Sequence, residues 1–356
     1  MLYHLAGNLI PYFGPFRLFQ SYTVLIVLAL YAAFFASVLL LPKLYRLLPH
    51  DRGREFTLNA EAAKGKPTGS GCVFISLFVC ICFLLIPLTR LQTVILLLTW
   101  LTMLTGFLDD RSAVSWGEYR KALLDLVVCV AAAIFLYGYL SQTTADGKVH
   151  LWLPFISGTV AVPPWLYIII ATVLLWASIN TTNCTDGVDG LSSTLVLVGL
   201  ITMGAIFYFV LGHREIASYL LVPHLAAGAN WAVMTFALAG ALMGYLWHNA
   251  FPSHVLMGDA GSRALGFYIG VCVMVSGNPF LIFATSSIIF VNGGLGLLKV
   301  FLMRFCKMKV FSTIRFPLHD HMRHNHNWSP TQVLLKFLIM QVLITLAVIG
   351  LFFKVR

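Results

Sequence analysis

Charge is what this 356-residue sequence has least of: lysine, arginine, aspartate and glutamate together make up 10% of it, and only 13 residues are acidic. A water-soluble domain carries about 25% charged residues, so a soluble fold is excluded. Cysteine pairs at redox or zinc spacing are also missing. The seven cysteines (Cys72, Cys80, Cys82, Cys129, Cys184, Cys272 and Cys306) are scattered, mostly in apolar runs, and Cys80 and Cys82 do not form a CxxC. They read as buried thiols rather than disulfides or metal ligands. Residues 1–22 hold Pro11, Pro15 and Arg17 and no compact apolar core, so no cleavable signal peptide is expected. Strong internal repeats and low-complexity tracts are lacking too, which makes 1–356 one integral membrane domain.

What is present is apolar surface: 59% hydrophobic residues and a mean hydropathy of +0.88. A membrane helix needs about 20 mostly apolar residues. Ten such segments are expected, at 22–41, 72–88, 91–108, 122–140, 163–179, 191–211, 231–246, 262–276, 279–303 and 332–353, with an interfacial helix within 212–230. The fold class is thus all-α and polytopic, with about ten transmembrane helices.

Lysine and arginine give the orientation. With the N-terminus outside, fifteen fall in inner loops: Lys43, Arg46, Arg52, Arg54, Lys64, Lys66, Arg111, Arg120, Lys121, Arg263, Arg304, Lys307, Lys309, Arg315 and Arg323. Six fall outside (Arg17, Arg90, Lys148, Arg214, Lys354, Arg356), while Lys299 and Lys336 lie near the inner ends of helices, where their stems snorkel. Positive loops are cytoplasmic, so both termini are expected to be extracytoplasmic. The net charge of +10 does not form the continuous patch that nucleic acid requires. Anionic lipids and anionic substrates are the expected partners.

This threading sends eleven of the 13 acids to the inner side: Asp51, Glu55, Glu61, Asp109, Asp110, Glu118, Asp125, Asp186, Asp189, Asp259 and Asp320. Only Asp146 and Glu215 are outside. Carboxylates near hydrocarbon are costly and mark chemistry. GFLDD ends the third helix, where the macrodipole disfavours two adjacent carboxylates. Asp109 and Asp110 therefore read as a Mg²⁺ site or a general base, against the plainer reading of a solvated helix terminus. NTTNCTDGVDGL follows the fifth helix and packs Asn180, Asn183, Asp186 and Asp189 into ten residues, more oxygen ligands than a turn needs. MGDAGSRALG opens the eighth helix. Its Gly258, Gly261 and free amides suit an anion, with Asp259 beside them, although Asp259 and Ser262 are also ordinary capping residues. PLHDHMRHNHNW carries His319, His321, His324, His326 and Arg323, a spacing that fits diphosphate recognition better than structural zinc.

Together with GKPTGSG at 65–71 and HNWSPTQV at 326–333, these motifs resemble the phospho-N-acetylmuramoyl-pentapeptide transferase family, within the wider polyprenyl-phosphate N-acetylhexosamine-1-phosphate transferases. The resemblance implies ten membrane helices, both termini outside, and an active site on the cytoplasmic face of the bacterial inner membrane. It implies transfer of phospho-MurNAc-pentapeptide from UDP-MurNAc-pentapeptide to undecaprenyl phosphate, with Mg²⁺ as cofactor, and it admits a homodimer. Asp109, Asp110 and Asp259 match catalytic aspartates, with Asp259 and Asp110 as metal ligands. Lys121, Asn183, Asp186, Asp189, Asn249, His319, His321 and Arg323 match substrate-binding positions. The chain departs from the family pattern at Ala113, where a lysine is usual, at Asp320 within the histidine triplet, at Lys299, where an acid is common, and in Gly65-Lys66-Pro67-Thr68-Gly69-Ser70-Gly71, where the family has GTPTMGG. Direct attack and a two-step route through a phospho-aspartate both fit the residues. A UDP-N-acetylglucosamine donor and an ion-coupled transporter are the competing readings.

Overall fold

The computed structural model describes residues 2–53, 64–144, 146–156 and 158–354, with the side chain of Lys354 outside that set. Arg54, Glu55, Glu61 and Arg356, which entered the charge count, lie outside the described residues.

Each of the ten apolar segments is helical, nine of them built on one main helix and 279–303 on two. After a short α1 (Leu2–Leu9) come α2 (Tyr22–Leu44), α3 (Gly71–Leu85), α4 (Arg90–Arg111), α5 (Glu118–Gln142), α6 (Pro164–Thr185) and α7 (Leu191–Ala205). They are followed by α8 (Arg214–Tyr219), α9 (Gly228–Asn249), α10 (Gly258–Val275), α11 (Ile282–Ile289), α12 (Leu295–Phe305), α13 (Leu318–His326) and α14 (Pro330–Lys354). Among the described residues, eight helical stretches are long and apolar enough to cross a membrane. The other two segments are α3, which has 15 residues, and α10, which carries Asp259 and Arg263. In hydrocarbon every backbone polar group needs an internal partner, so apolar runs of this length are helical. Their starts obey local rules. Proline opens α6 and α14, and Thr89 and Gln92 form a reciprocal capping box on α4 (Gln92 N–H to Thr89 Oγ1 3.3 Å, Thr89 N–H to Gln92 Oε1 2.9 Å).

α10 is the axis of the molecule. All its residues are buried, and it packs against α4, α6, α3 and α7. Lipid supplies no hydrophobic drive between helices, so close backbone approach has to bind them. Gly106 of α4 lies against the Asp259 carbonyl so tightly that a Cβ there would collide with it. α9 packs along α2, and α5 lies on α6.

Three features depart from the hydropathy reading. Segment 279–303 is not one straight helix: α11 kinks at Ser286 (φ −142°, ψ 18°) and reaches α12 through a π-helical turn at Phe290–Gly294. The connection between α5 and α6 holds an antiparallel hairpin of β1 (Val149–Trp152) and β2 (Thr159–Val162). Trp152 is fully buried there and donates from its indole to the Ser276 carbonyl at the C-terminal end of α10 (2.8 Å). The cysteines are all free thiols, but only Cys82, Cys129 and Cys272 are buried; Cys72 and Cys184 are partly exposed, and Cys80 and Cys306 are exposed. The short α8 falls within 212–230, where an interfacial helix is expected.

Candidate active site

The C-terminal ends of α4, α6 and α9 and the N-terminal ends of α5, α10 and α13 meet at one end of the bundle. α4 brings Asp109 and Asp110. Being adjacent, they point to different partners. Asp110 accepts from the backbone amides of Asp259 and Ala260, both at 3.0 Å. Those amides are the orphan donors of the first turn of α10, so the anion held by that helix start is the Asp110 carboxylate. This corrects two expectations: the turn is not an open cradle for phosphate, and neither Asp259 nor Ser262 caps its own helix. Gly258 makes the fit possible. Its φ is +68°, and a Cβ would strike the Asp110 carboxylate.

Asp109 is buried and accepts from the Trp116 amide (2.6 Å), which ties the loop after α4 back to the helix end. Its Oδ2 pairs with the ammonium of Lys121, and the same ammonium lies 2.9 Å from Asp259 Oδ2. Asp259 is 5% exposed, and its Oδ1 accepts from the Asn183 side-chain amide (3.0 Å), which also donates to Ser262 Oγ (3.0 Å). Four helices thus contribute Asp109, Lys121, Asn183 and Asp259 to one connected polar centre beneath an apolar bundle.

Asp189 accepts from the Ser253 amide (3.0 Å) and lies 3.9 Å from Lys66 Nζ. Asn249 is buried and spends its side chain on backbone: its carbonyl accepts from Gly190 N–H (2.9 Å) and its amide donates to the Val255 carbonyl (2.8 Å). In this structure it ties the 186–190 turn to the 250–257 loop. Asp186 closes α6 at the start of the same turn.

The histidine tract forms α13. His319 is buried, with its backbone amide on Asn292 Oδ1 (2.8 Å), its ring against the Asn292 side chain, and its Nε2 facing Gly187. Burial, with Arg323 nearby, pushes its pKa down to about 3. His319 is therefore neutral at pH 7 and brings no positive charge to the diphosphate recognition expected of this tract. His321 accepts from the Arg315 amide (3.3 Å), and His324 and His326 are exposed. Arg323 is half-buried and makes no ion pair among the described residues. Burial raises the Asp320 carboxyl, against the pull of Arg315 and Arg323. Lys299 donates to the Ile314 carbonyl (2.8 Å), holding the loop before α13.

Sequence reasoning overlooked Lys66, Ser253 and Asn292 as parts of this site. Asn292 left a signal, since a lone amide in an apolar run demands a partner. Lys66 lies in the GKPTGSG motif but was not singled out from it, and Ser253 left no signal.

Comparison with known proteins fits this architecture. Residues 92–277 match the model of the glycosyl transferase family 4. A phospho-N-acetylmuramoyl-pentapeptide-transferase of Treponema pallidum (strain Nichols) is 57% identical over 345 residues, covering 97% of this chain and 94% of that protein. The enzymes of the same description from Gemmatimonas aurantiaca (31% identical; 96% and 97% covered) and Sulfurimonas denitrificans (29%; 89% and 90%) are more distant. A mostly helical membrane bundle with a carboxylate cluster at one end, alike over nearly its whole length to such enzymes, belongs to the phospho-N-acetylmuramoyl-pentapeptide-transferase family.

Proposed function

We infer that the chain transfers phospho-MurNAc-pentapeptide from UDP-MurNAc-pentapeptide to undecaprenyl phosphate, releasing UMP and giving a lipid-linked diphosphate sugar for peptidoglycan synthesis. The observation that carries the reading is Asp109, Lys121 and Asp259 joined in one centre, in a chain of this similarity. Phosphoryl transfer asks the protein for alignment and charge neutralisation more than covalent chemistry. Asp109 is the base for any proton left on the acceptor phosphate, whose second pKa is about 6 if it behaves as a phosphomonoester. Lys121 and Arg323 supply positive charge for the donor diphosphate. His319 and Asp189 hold the loops that flank it.

Mg²⁺ belongs to this proposal. Hard carboxylate and amide oxygens suit it. Asp109 and Asp259 converge on the single ammonium of Lys121, with Asp110 beside them, so carboxylate is in excess at the centre. A divalent ion would offset that excess. Asp259 and Asp109 would hold it, since their Oδ2 atoms already share the Lys121 ammonium. Asp110, with each oxygen on a backbone amide, fixes Asp259 in place. When bound, the ion would neutralise charge on the diphosphate as UMP departs.

The same proposal sets this end of the bundle at the cytoplasmic face of the inner membrane, with both termini outside, in keeping with fifteen basic residues in inner loops against six outside. The polyprenyl chain reaches the centre laterally between helices, and a homodimer is compatible with it. Purified protein with undecaprenyl phosphate and Mg²⁺ should release UMP from UDP-MurNAc-pentapeptide and stop when the metal is chelated. Release from UDP-N-acetylglucosamine alone would refute the donor, and release unaffected by chelation would refute the cofactor.

A further inference from the structure

Two ion pairs join α5 to α10, one helical turn apart. Lys121 meets Asp259 at 2.9 Å, and Arg263 Nη2 meets Asp125 Oδ1 at 2.5 Å. Lys121 and Asp125 are four residues apart on α5, as are Asp259 and Arg263 on α10, so each pair of neighbours shares a helix face. The signs alternate: every charge has an opposite one across the interface and another along its own helix. The second rung is the deeper, with side chains 3% and 2% exposed for Asp125 and Arg263. Arg263 Nε and Nη1 find no partner among the described residues. Such a buried, partly satisfied pair serves stability no better than apolar residues of the same volume.

What it does is set a register. α5 lies on α6, where the Trp176 indole donates to the Ala122 carbonyl (3.2 Å), and it shares little backbone contact with α10. Long side chains therefore fix where α5 stands along α10. We propose that Asp125 and Arg263 are positioning residues for the transfer: their pair holds α5 at the height where the Lys121 ammonium lies between Asp109 and Asp259. The proposal rests on the transferase reading and adds residues that touch neither substrate.

The test compares wild type, Arg263→Lys, and the double variant Asp125→Leu with Arg263→Met, all with saturating Mg²⁺ and acceptor. The double variant removes both buried charges and keeps the volume, so it should melt no lower than wild type. Its kcat should fall at least about tenfold, as misplacement of a reacting group predicts, while KM for the donor stays within about threefold. Arg263→Lys, which keeps the charge on a shorter reach, should give an intermediate kcat at unchanged KM. A folded double variant with kcat within about twofold of wild type would overturn the proposal. If the double variant does not fold, Arg263→Lys decides: reduced kcat at unchanged KM supports the proposal, and wild-type kcat overturns it. Absence of UMP release from wild type would instead sink the transferase reading.

Discussion

The single ammonium of Lys121 bridges Asp109 and Asp259, whose carboxylates come from helices far apart in the chain. Replacing it with methionine leaves two buried anions facing one another. The expected loss of stability is about 1–3 kcal/mol, less than for a wholly buried pair because the lysine is partly exposed. UMP release should fall by about 100-fold or more, the usual effect of removing one preorganised charge from a transfer site. A Lys121→Met protein with wild-type melting and turnover would contradict the bridge. His319 makes a separate prediction. Its folded pKa of about 3 lies below the ordinary 6.5, so the fold favours the neutral ring. That contribution is complete above pH 6.5 and is lost as pH falls towards 3, at no more than about 1.4 kcal/mol per pH unit. The wild-type melting temperature should therefore drop more steeply than that of His319→Gln between pH 6.5 and 5, and parallel curves would contradict a buried neutral ring.

α10 occupies the centre because glycines let its neighbours approach its backbone. Gly106→Ala places a methyl group against the Asp259 carbonyl. It should cost about 1–3 kcal/mol and lower UMP release by displacing the first turn of α10. An alanine variant that melts and turns over as wild type does would refute that contact. The helices were legible because membrane spans are written as long, mostly apolar runs; their proline and capping-box starts, as at Pro330 and Thr89, were not read, so the starts at 332 and 91 fell short. The break at Ser286 and Phe290–Gly294 was not, since a π-helical turn leaves the run of apolar residues intact. The hairpin at Val149–Val162 was missed because four-residue strands leave too short an alternation to read. At the site, Asp109, Asp186 and Asp259 stood out as carboxylates at helix ends. Their partners did not, because Lys121 and Asp259 are 138 positions apart and Asp110 meets the α10 amides across about 150. The anion-binding start of α10 was correctly seen as such, but its occupant came from another helix.

Across the whole molecule, the proposed orientation puts the loop after α12 in the cytoplasm and the hairpin between α5 and α6 outside. Cys306 is exposed in the former, and Lys148 is exposed beside the latter. A membrane-impermeant maleimide should label Lys148→Cys in intact spheroplasts and Cys306 only in inverted vesicles. The reverse pattern would invert the proposed topology. At the centre of the proposed function, carboxylates from separate helix ends act on one diphosphate. Asp259→Asn examines this at its focus, because the amide keeps the shape and the Asn183 contact region while removing the charge. In folded Asp259→Asn protein, UMP release from UDP-MurNAc-pentapeptide should fall by at least about 100-fold, and release at the wild-type rate would contradict the account.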